Sequence, residues 1–198
     1  MNYKELNIKP IPDSLKTALV DYIKMHLATN PEPAVDYGNF ETSDKNSIAY
    51  ISSRLDWENK YGKAGTVTFY AIPENLRNQL IEYYQDVDHP LFKNDKYYFQ
   101  IINNAAHVPP HIDDRIARTE GLLYLLEAGG TDVKTTWYSA VDGRDNSTIP
   151  DRIAIPYENL NVIESHVLTE NHWHYMVFNA PHGVENLQSI RIAINFAP

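Results

Sequence analysis

The stretch Pro109-Pro110-His111-Ile112-Asp113 decides how this chain is interpreted, and two residues far downstream, His182 and Arg191, complete the pattern. His111 and Asp113 are two positions apart, so on a β-strand their side chains project to the same face. An imidazole and a carboxylate on one face, joined by a second imidazole from elsewhere, form the ligand set that holds a non-haem Fe(II) ion with coordination positions left open. The sequence therefore predicts a metal site built from His111, Asp113 and His182.

Arg191 lies in the strand-like run Ser189-Ile190-Arg191-Ile192-Ala193-Ile194-Asn195-Phe196. A charged residue in such an apolar run needs a partner if the strand is buried. The planar guanidinium binds a carboxylate bidentately and stays charged inside a protein. Arg191 is therefore a candidate anion-binding residue, and the alternative is an arginine on the solvent face of an edge strand.

The order of these motifs resembles that of the iron- and 2-oxoglutarate-dependent oxygenases. The distal segment His182-x-Val184-x-Asn186, followed by Arg191, is most similar to the aspartyl/asparaginyl β-hydroxylase and prolyl hydroxylase branch. The resemblance covers roughly Tyr97 to Phe196 and is absent from the N-terminal part of the chain.

The resemblance implies that His111, Asp113 and His182 hold Fe(II) and that Arg191 anchors the far carboxylate of 2-oxoglutarate. It further implies O2 as co-reactant and hydroxylation of an amino-acid, peptidyl or other small-molecule C–H bond, with release of succinate and CO2. Because the carboxylate ligand Asp113 is present, hydroxylation is favoured over halogenation. Further cosubstrate contacts or pocket walls are expected from four residues, each of which could equally be plain barrel core: Asn103, Tyr124, Trp137 and Tyr138.

The remaining pattern predicts helices first and short strands second. An amphipathic helix is predicted over residues 12–28, strands over Ser47–Leu55 and Thr66–Ile72, and a second helix from Pro73 to about Gln85. From residue 96 onward, short strands are predicted near Tyr97–Asn103, Val108–Asp113, Gly121–Leu126, Lys134–Val141, Arg152–Ile155, His166–Leu168, Tyr175–Asn179, His182–Val184 and Arg191–Phe196. Many short strands of this kind favour a mainly β protein with a double-stranded β-helix core, a cupin-like jelly roll. We expect one domain, residues 1–198, with a helical and strand support region at 1–95 and the β-helix core at 96–198.

Other interpretations of the polar residues stay open. His172-x-His174 also places two imidazoles on one strand face, as a cupin metal motif does, although the accompanying glutamate and glycines are missing. Asp114 is an alternative carboxylate, and Arg115 or Arg118 would either meet an acidic substrate or be solvated loop charges. The alternative functions are a cupin-like metalloenzyme that does not use 2-oxoglutarate and a non-catalytic jelly-roll binding module.

Composition narrows the class of protein. The 198 residues include no cysteine, which excludes disulfides and thiolate metal sites. The net charge is −9 with no basic cluster, so a nucleic acid is not an expected partner. Residues 1–9 lack the apolar run of a signal peptide, and no stretch reaches the ~20 apolar residues of a membrane span. These features predict a cytoplasmic protein without a nucleic-acid or membrane partner. The small-molecule or peptidyl substrate is what the resemblance implies.

Overall fold

The described part of the chain is built around ten β-strands in two antiparallel sheets. The computed structural model describes residues 1–29, 58–65, 67–89, 92, 97–103, 106–113, 119–143 and 154–196. The α-helices with assigned bounds are α1 (Asp13–Thr29) and α2 (Glu74–Tyr84). The strands are β1 (Tyr3–Leu6), β2 (Val67–Ala71), β3 (Tyr97–Ile102), β4 (Val108–His111), β5 (Glu120–Glu127), β6 (Lys134–Ala140), β7 (Leu160–Val167), β8 (Trp173–Val177), β9 (His182–Glu185) and β10 (Arg191–Phe196). In the part of the chain that the structure describes, no helix is long and apolar enough to cross a membrane.

The two sheets differ in size and in what covers them. A six-stranded sheet has the order β1-β8-β5-β10-β3-β2, and a four-stranded sheet has the order β4-β9-β6-β7. Helices α1 and α2 pack on one face of the larger sheet, where Leu19, Ile23 and Leu80 meet the even-numbered apolar residues of β10. The opposite face of the larger sheet looks toward the smaller sheet. The central strands of the larger sheet are therefore buried on both sides, which explains their nearly continuous apolar sequence.

Strand β10 shows how the alternation sorts side chains. Ile192, Ile194 and Phe196 belong to the apolar cluster on the helix side. Arg191 lines a cavity on the other side, and Ala193 packs in the core between the sheets. Because side chains alternate along a strand, the third residue of this inner row is Asn195.

A close approach of two strands aligns the predicted metal ligands. Strand β4 pairs with β9 so that His111 stands directly opposite His182. At Gly183 an added Cβ atom would lie 2.9 Å from the carbonyl oxygen of Val108 and 3.2 Å from the nitrogen of Pro110. Only a residue without a side chain fits this contact, so Gly183 permits the spacing that brings the two imidazoles together.

Several predicted elements require correction. The strand predicted at His166–Leu168 is the end of the eight-residue strand β7, Leu160–Val167. Most of strand β7 is not predicted from the sequence. It is an exposed edge strand with a register shift opposite Trp137 and Tyr138, so apolar and polar residues do not alternate regularly along it. Residues 154 and 155, the described end of the strand predicted at Arg152–Ile155, are not in a strand.

The N-terminal part contributes more to the larger sheet than was expected. Strand β1 was not predicted, and it pairs with β8 at the edge of the sheet. Strand β2 pairs with β3 on the opposite edge. The predicted strand Ser47–Leu55 lies outside the described residues. The boundary predicted at residues 95 and 96 stays a prediction, although β1 and β2 complete the six-stranded sheet.

Candidate metal centre and anion pocket

A cavity lies between the two sheets and contains the predicted metal ligands together with Arg191. Its volume is about 500 Å3, counting the open mouth. Eight of its fourteen lining residues are apolar, and the other six are polar or charged. The lining residues are Val67, Phe69, Gln100, Ile102, Leu123, Met176, Phe178 and Arg191 from the larger sheet and its connections, and Val108, His111, Asp113, Thr135, His182 and Val184 from the smaller sheet.

The three predicted ligands converge in this cavity. One ligand atom from each of His111, Asp113 and His182 lies within 4.8 Å of the other two. His111 Nε2 is 3.2 Å from Asp113 Oδ1, and His182 Nε2 is 3.9 Å from the same oxygen. Strand β4 ends at His111, so Asp113 reaches the site from the segment after the strand and not from within it. Its backbone N–H donates to the carbonyl of Phe178, which fixes that segment beside the larger sheet.

Backbone carbonyls orient both imidazole rings. His111 Nδ1 is 2.7 Å from the carbonyl oxygen of Pro109, and His182 Nδ1 is 2.9 Å from that of Ala180. A carbonyl oxygen only accepts hydrogen bonds, so each Nδ1 carries a proton, and in the neutral ring each Nε2 presents its lone pair toward Asp113. Two ring nitrogens and a carboxylate oxygen are then electron-pair donors at short range. This donor chemistry fits a divalent metal ion.

Arg191 supplies the positive charge of the same cavity. Its side chain is 3% exposed, and both terminal nitrogens donate to Thr135 Oγ1 at 3.4 Å. Among the described residues, no Asp or Glu forms an ion pair with it. Burial lowers the pKa of Arg191 to about 10, which still leaves the guanidinium charged at neutral pH. A buried cation held by one hydroxyl group is costly unless an anion joins it.

The other predicted cosubstrate residues lie elsewhere, which corrects the expected pocket. Asn103 follows β3 and is exposed, because alternation after the inward-facing Ile102 turns it away. Tyr124 faces the helices, where its hydroxyl accepts a hydrogen bond from the Ile11 N–H at 3.1 Å. The structure therefore places neither Asn103 nor Tyr124 at the cavity.

Trp137 and Tyr138 are buried next to the site without lining it. Trp137 packs between the sheets, and its Nε1 donates to the carbonyl of Val177 at 2.9 Å. Tyr138 lies on the outer face of the smaller sheet, where its hydroxyl donates to Glu185. Both residues support the strand that carries Thr135.

Thr135 and Gln100 are polar cavity residues that sequence reasoning missed. Gln100 lies two positions before Ile102 on the inner face of β3, and its long polar side chain between apolar neighbours is the signal that would have identified it. Thr135 lies in a strand with other hydroxyl residues, so no comparable signal marks it.

The rival histidine pair does not form a ligand set. His172 is exposed. His174 is buried, but its Nδ1 meets the Tyr3 hydroxyl at 3.1 Å and its Nε2 meets the Thr169 carbonyl at 2.9 Å. Within the described ranges, His111, Asp113 and His182 are the group that could hold a metal ion. Asp114, Arg115 and Arg118 lie outside those ranges.

Comparison with solved structures identifies the fold. The chain is similar to a prolyl-4-hydroxylase from Pseudomonas putida, with a TM-score of 0.54 and 10% sequence identity over 100% of this chain and 93% of that chain. Other similar structures are a Trichoplax adhaerens prolyl hydroxylase bound to a fragment of hypoxia inducible factor and a 2OG-Fe(II) oxygenase family protein from Burkholderia pseudomallei. For the first, the TM-score is 0.43 at 14% identity, covering 99% of this chain and 82% of that one. For the second, it is 0.42 at 9% identity, covering 76% and 79%.

The match to the Pseudomonas putida structure shows that the chain has the fold of that prolyl-4-hydroxylase. No family model matches the chain, and no curated protein matches it.

Proposed function

We propose that this protein is an Fe(II)- and 2-oxoglutarate-dependent oxygenase that hydroxylates a C–H bond of an amino-acid, peptidyl or other small-molecule substrate. One observation carries the proposal: a two-histidine, one-carboxylate donor set shares one cavity with a buried arginine that has no anionic partner among the described residues. The first group suits Fe(II) with open positions, and the second suits a carboxylate. We further propose that the two sheets form a double-stranded β-helix and that residues 1–198 are one domain.

Each side chain has a distinct role in this proposal. His111 Nε2, His182 Nε2 and the Asp113 carboxylate hold the metal ion, and the Pro109 and Ala180 carbonyls keep both rings in the correct tautomer. Arg191 binds the far carboxylate of 2-oxoglutarate, with Thr135 orienting the guanidinium. Fe(II) with 2-oxoglutarate, when bound, supplies the oxidation of a C–H bond by O2, with succinate and CO2 as co-products. The apolar walls exclude water and strengthen the charged contacts within the cavity.

Oxygen-dependent release of succinate tests this function. The full-length protein is supplied with Fe(II), 2-oxoglutarate and a panel of amino acids, peptides and small organic acids, with and without O2. We expect the wild-type protein to form succinate only when O2, Fe(II) and 2-oxoglutarate are all present. His111→Ala should abolish that release, while His172→Ala, which removes an exposed imidazole outside the cavity, should match the wild type.

Measuring metal affinity alongside succinate release separates the alternative functions. A metalloenzyme that does not use 2-oxoglutarate would bind the metal with equal affinity in the presence and absence of 2-oxoglutarate. A binding module without catalysis would release no succinate and would bind Fe(II) no better than the His111→Ala variant. Either result contradicts the proposed function.

A further inference from the structure

Asn195 is a buried polar residue of the inner sheet face that the proposed function has not yet used. Asn195 is only 1% exposed to solvent. In the sheet it stands opposite Leu123 of β5 on one side and Tyr98 of β3 on the other. Leu123 lines the cavity, as does Gln100, which is two residues from Tyr98 on the same strand face. Asn195 therefore faces the space between the sheets, in the row that begins with Arg191.

The donor nitrogen of the Asn195 amide has no partner among the described residues. Nδ2 is fully buried and makes no hydrogen bond within that part of the chain. A buried donor without an acceptor is destabilising, and buried polar groups in folded proteins almost always have partners. An apolar residue of the same size would pack in this position without that penalty. The unpartnered amide therefore points to an acceptor that joins the site from outside the chain.

The position of Asn195 along β10 indicates which end of the cavity it serves. Asn195 lies four positions after Arg191, which corresponds to about 13 Å along a strand. The next residue, Phe196, has its carbonyl beside Gly121, where an added Cβ atom would meet that oxygen at 2.8 Å and the Phe178 ring at 2.9 Å. The Phe178 ring in turn lies 5.5 Å from the His182 ring, between centroids. Strand β10 thus runs from the Arg191–Thr135 end toward the metal-ligand end, and Asn195 lies at the latter.

We propose that Asn195 is a positioning residue that donates a hydrogen bond from Nδ2 to an oxygen at the 2-oxo acid end of bound 2-oxoglutarate. One carboxylate cannot meet both Arg191 and Asn195 at this separation, so the two side chains hold opposite ends of the molecule. This inference rests on the proposed function and adds the residue that sets the direction of the ligand in the cavity. The amide is uncharged, so it orients the ligand without adding another buried charge.

Calorimetric binding of two dicarboxylates tests the inference without relying on catalysis. The full-length protein is loaded with Mn(II), which does not support oxidation of the ligand, and titrated with 2-oxoglutarate and with succinate. Asn195→Leu keeps the size of the side chain and removes the donor. We expect this variant to bind 2-oxoglutarate about tenfold or more weakly, the loss typical of one hydrogen bond to a charged group. Its affinity for succinate, which has no 2-oxo acid end, should be unchanged.

A matched control removes a different unpartnered polar atom from the same sheet. The Tyr97 hydroxyl is also buried without a partner, but it lies on the helix side of β3. Tyr97→Phe should leave both affinities at the wild-type value. Both Tyr97→Phe and Asn195→Leu should keep or raise the melting temperature of the metal-free protein, because each removes an unsatisfied group.

Equal affinity of Asn195→Leu and the wild type for 2-oxoglutarate would overturn the inference and leave the proposed function standing. An equal loss of affinity for 2-oxoglutarate and succinate would also overturn it, because it would show a general change of the cavity. If Asn195→Leu does not fold, Asn195→Ala, which also lacks a side-chain donor, is used, with the same selective loss for 2-oxoglutarate expected. A wild-type protein that binds Mn(II) but not 2-oxoglutarate would overturn the proposed function itself.

Discussion

Replacing Arg191 by methionine should make the ligand-free protein more stable and at the same time unable to bind 2-oxoglutarate. The guanidinium is buried, and Thr135 is its hydrogen-bond partner among the residues that the structure describes. Burial lowers its pKa from 12.5 to about 10, which corresponds to about 3 kcal/mol against the charged form in the folded state. Arg191→Met removes that penalty and keeps an unbranched side chain of similar length, so we expect a gain of up to about 3 kcal/mol in the free energy of unfolding. For a chain of this size the gain corresponds to roughly 6–12 °C in melting temperature.

The sign of the pH dependence follows from the same shift. Because the pKa of Arg191 is lower in the folded than in the unfolded state, the destabilisation is fully present below about pH 10. It decreases as the pH rises above that value and the folded protein releases the proton. The stability difference between Arg191→Met and the wild type should therefore be constant near neutral pH and shrink in strongly alkaline buffer.

Thermal unfolding and calorimetry together measure both effects. The variant should gain stability without ligand, and saturating 2-oxoglutarate should raise the melting temperature of the wild type only. Loss of a bidentate, charge-assisted contact should weaken 2-oxoglutarate binding by about 3 kcal/mol or more, at least a hundredfold. Thr135→Val provides the comparison, because it leaves the guanidinium without its acceptor and should destabilise the protein by about 1–3 kcal/mol. If Arg191→Met were less stable than the wild type without ligand, the argument that Arg191 is held ready for an anion would be refuted.

Three further substitutions test the placement of residues around the cavity. Gly183→Ala should lower the free energy of unfolding by about 1–3 kcal/mol and weaken metal binding, because its Cβ would lie 2.9 Å from the Val108 carbonyl oxygen. Unchanged metal affinity by calorimetry would contradict the idea that Gly183 sets the spacing of the two imidazoles. Tyr124→Phe should lower the free energy of unfolding by about 1–3 kcal/mol, since the Ile11 N–H loses its acceptor. Its affinity for 2-oxoglutarate should be unchanged, and an altered affinity would contradict the placement of Tyr124 on the helix side. His174→Phe should destabilise the protein in urea unfolding, since the Thr169 carbonyl and the Tyr3 hydroxyl lose their partner, but its metal content should equal that of the wild type.

The sequence was most informative where the chemistry needs unusual residue types close together. His111 and Asp113 stand out as a spaced pair after two prolines, and the structure brings them together with the distant His182. Strand alternation alone does not place Asp113 beside His111, because Asp113 lies beyond the end of β4. What holds it in place is a backbone contact to Phe178 on the other sheet, and no local pattern encodes such a contact.

The pocket walls were harder to predict because both faces of the central strands are apolar. Strand β5 is buried along nearly its whole length, so nothing in its sequence indicates that Leu123 faces the cavity and Tyr124 the helices. That choice depends on register with β8 and β10, which is a property of the assembled sheet. The extent of strand β7 was not predicted for the opposite reason. Its exposed residues Val162 and Ile163 are adjacent at a register shift, so the alternation of apolar and polar residues is lost.

The proposed function requires a metal ion and a 2-oxo acid to bind together in one cavity. Its most direct test is the absorption spectrum of the full-length protein under anaerobic conditions, with Fe(II) added first and 2-oxoglutarate second. We predict a visible charge-transfer band that requires both additions. The band should be absent from His111→Ala, and it should also be absent from Arg191→Met at the 2-oxoglutarate concentration that saturates the wild type. A folded wild-type protein that shows no such band, or a band that persists in His111→Ala, would contradict the assignment.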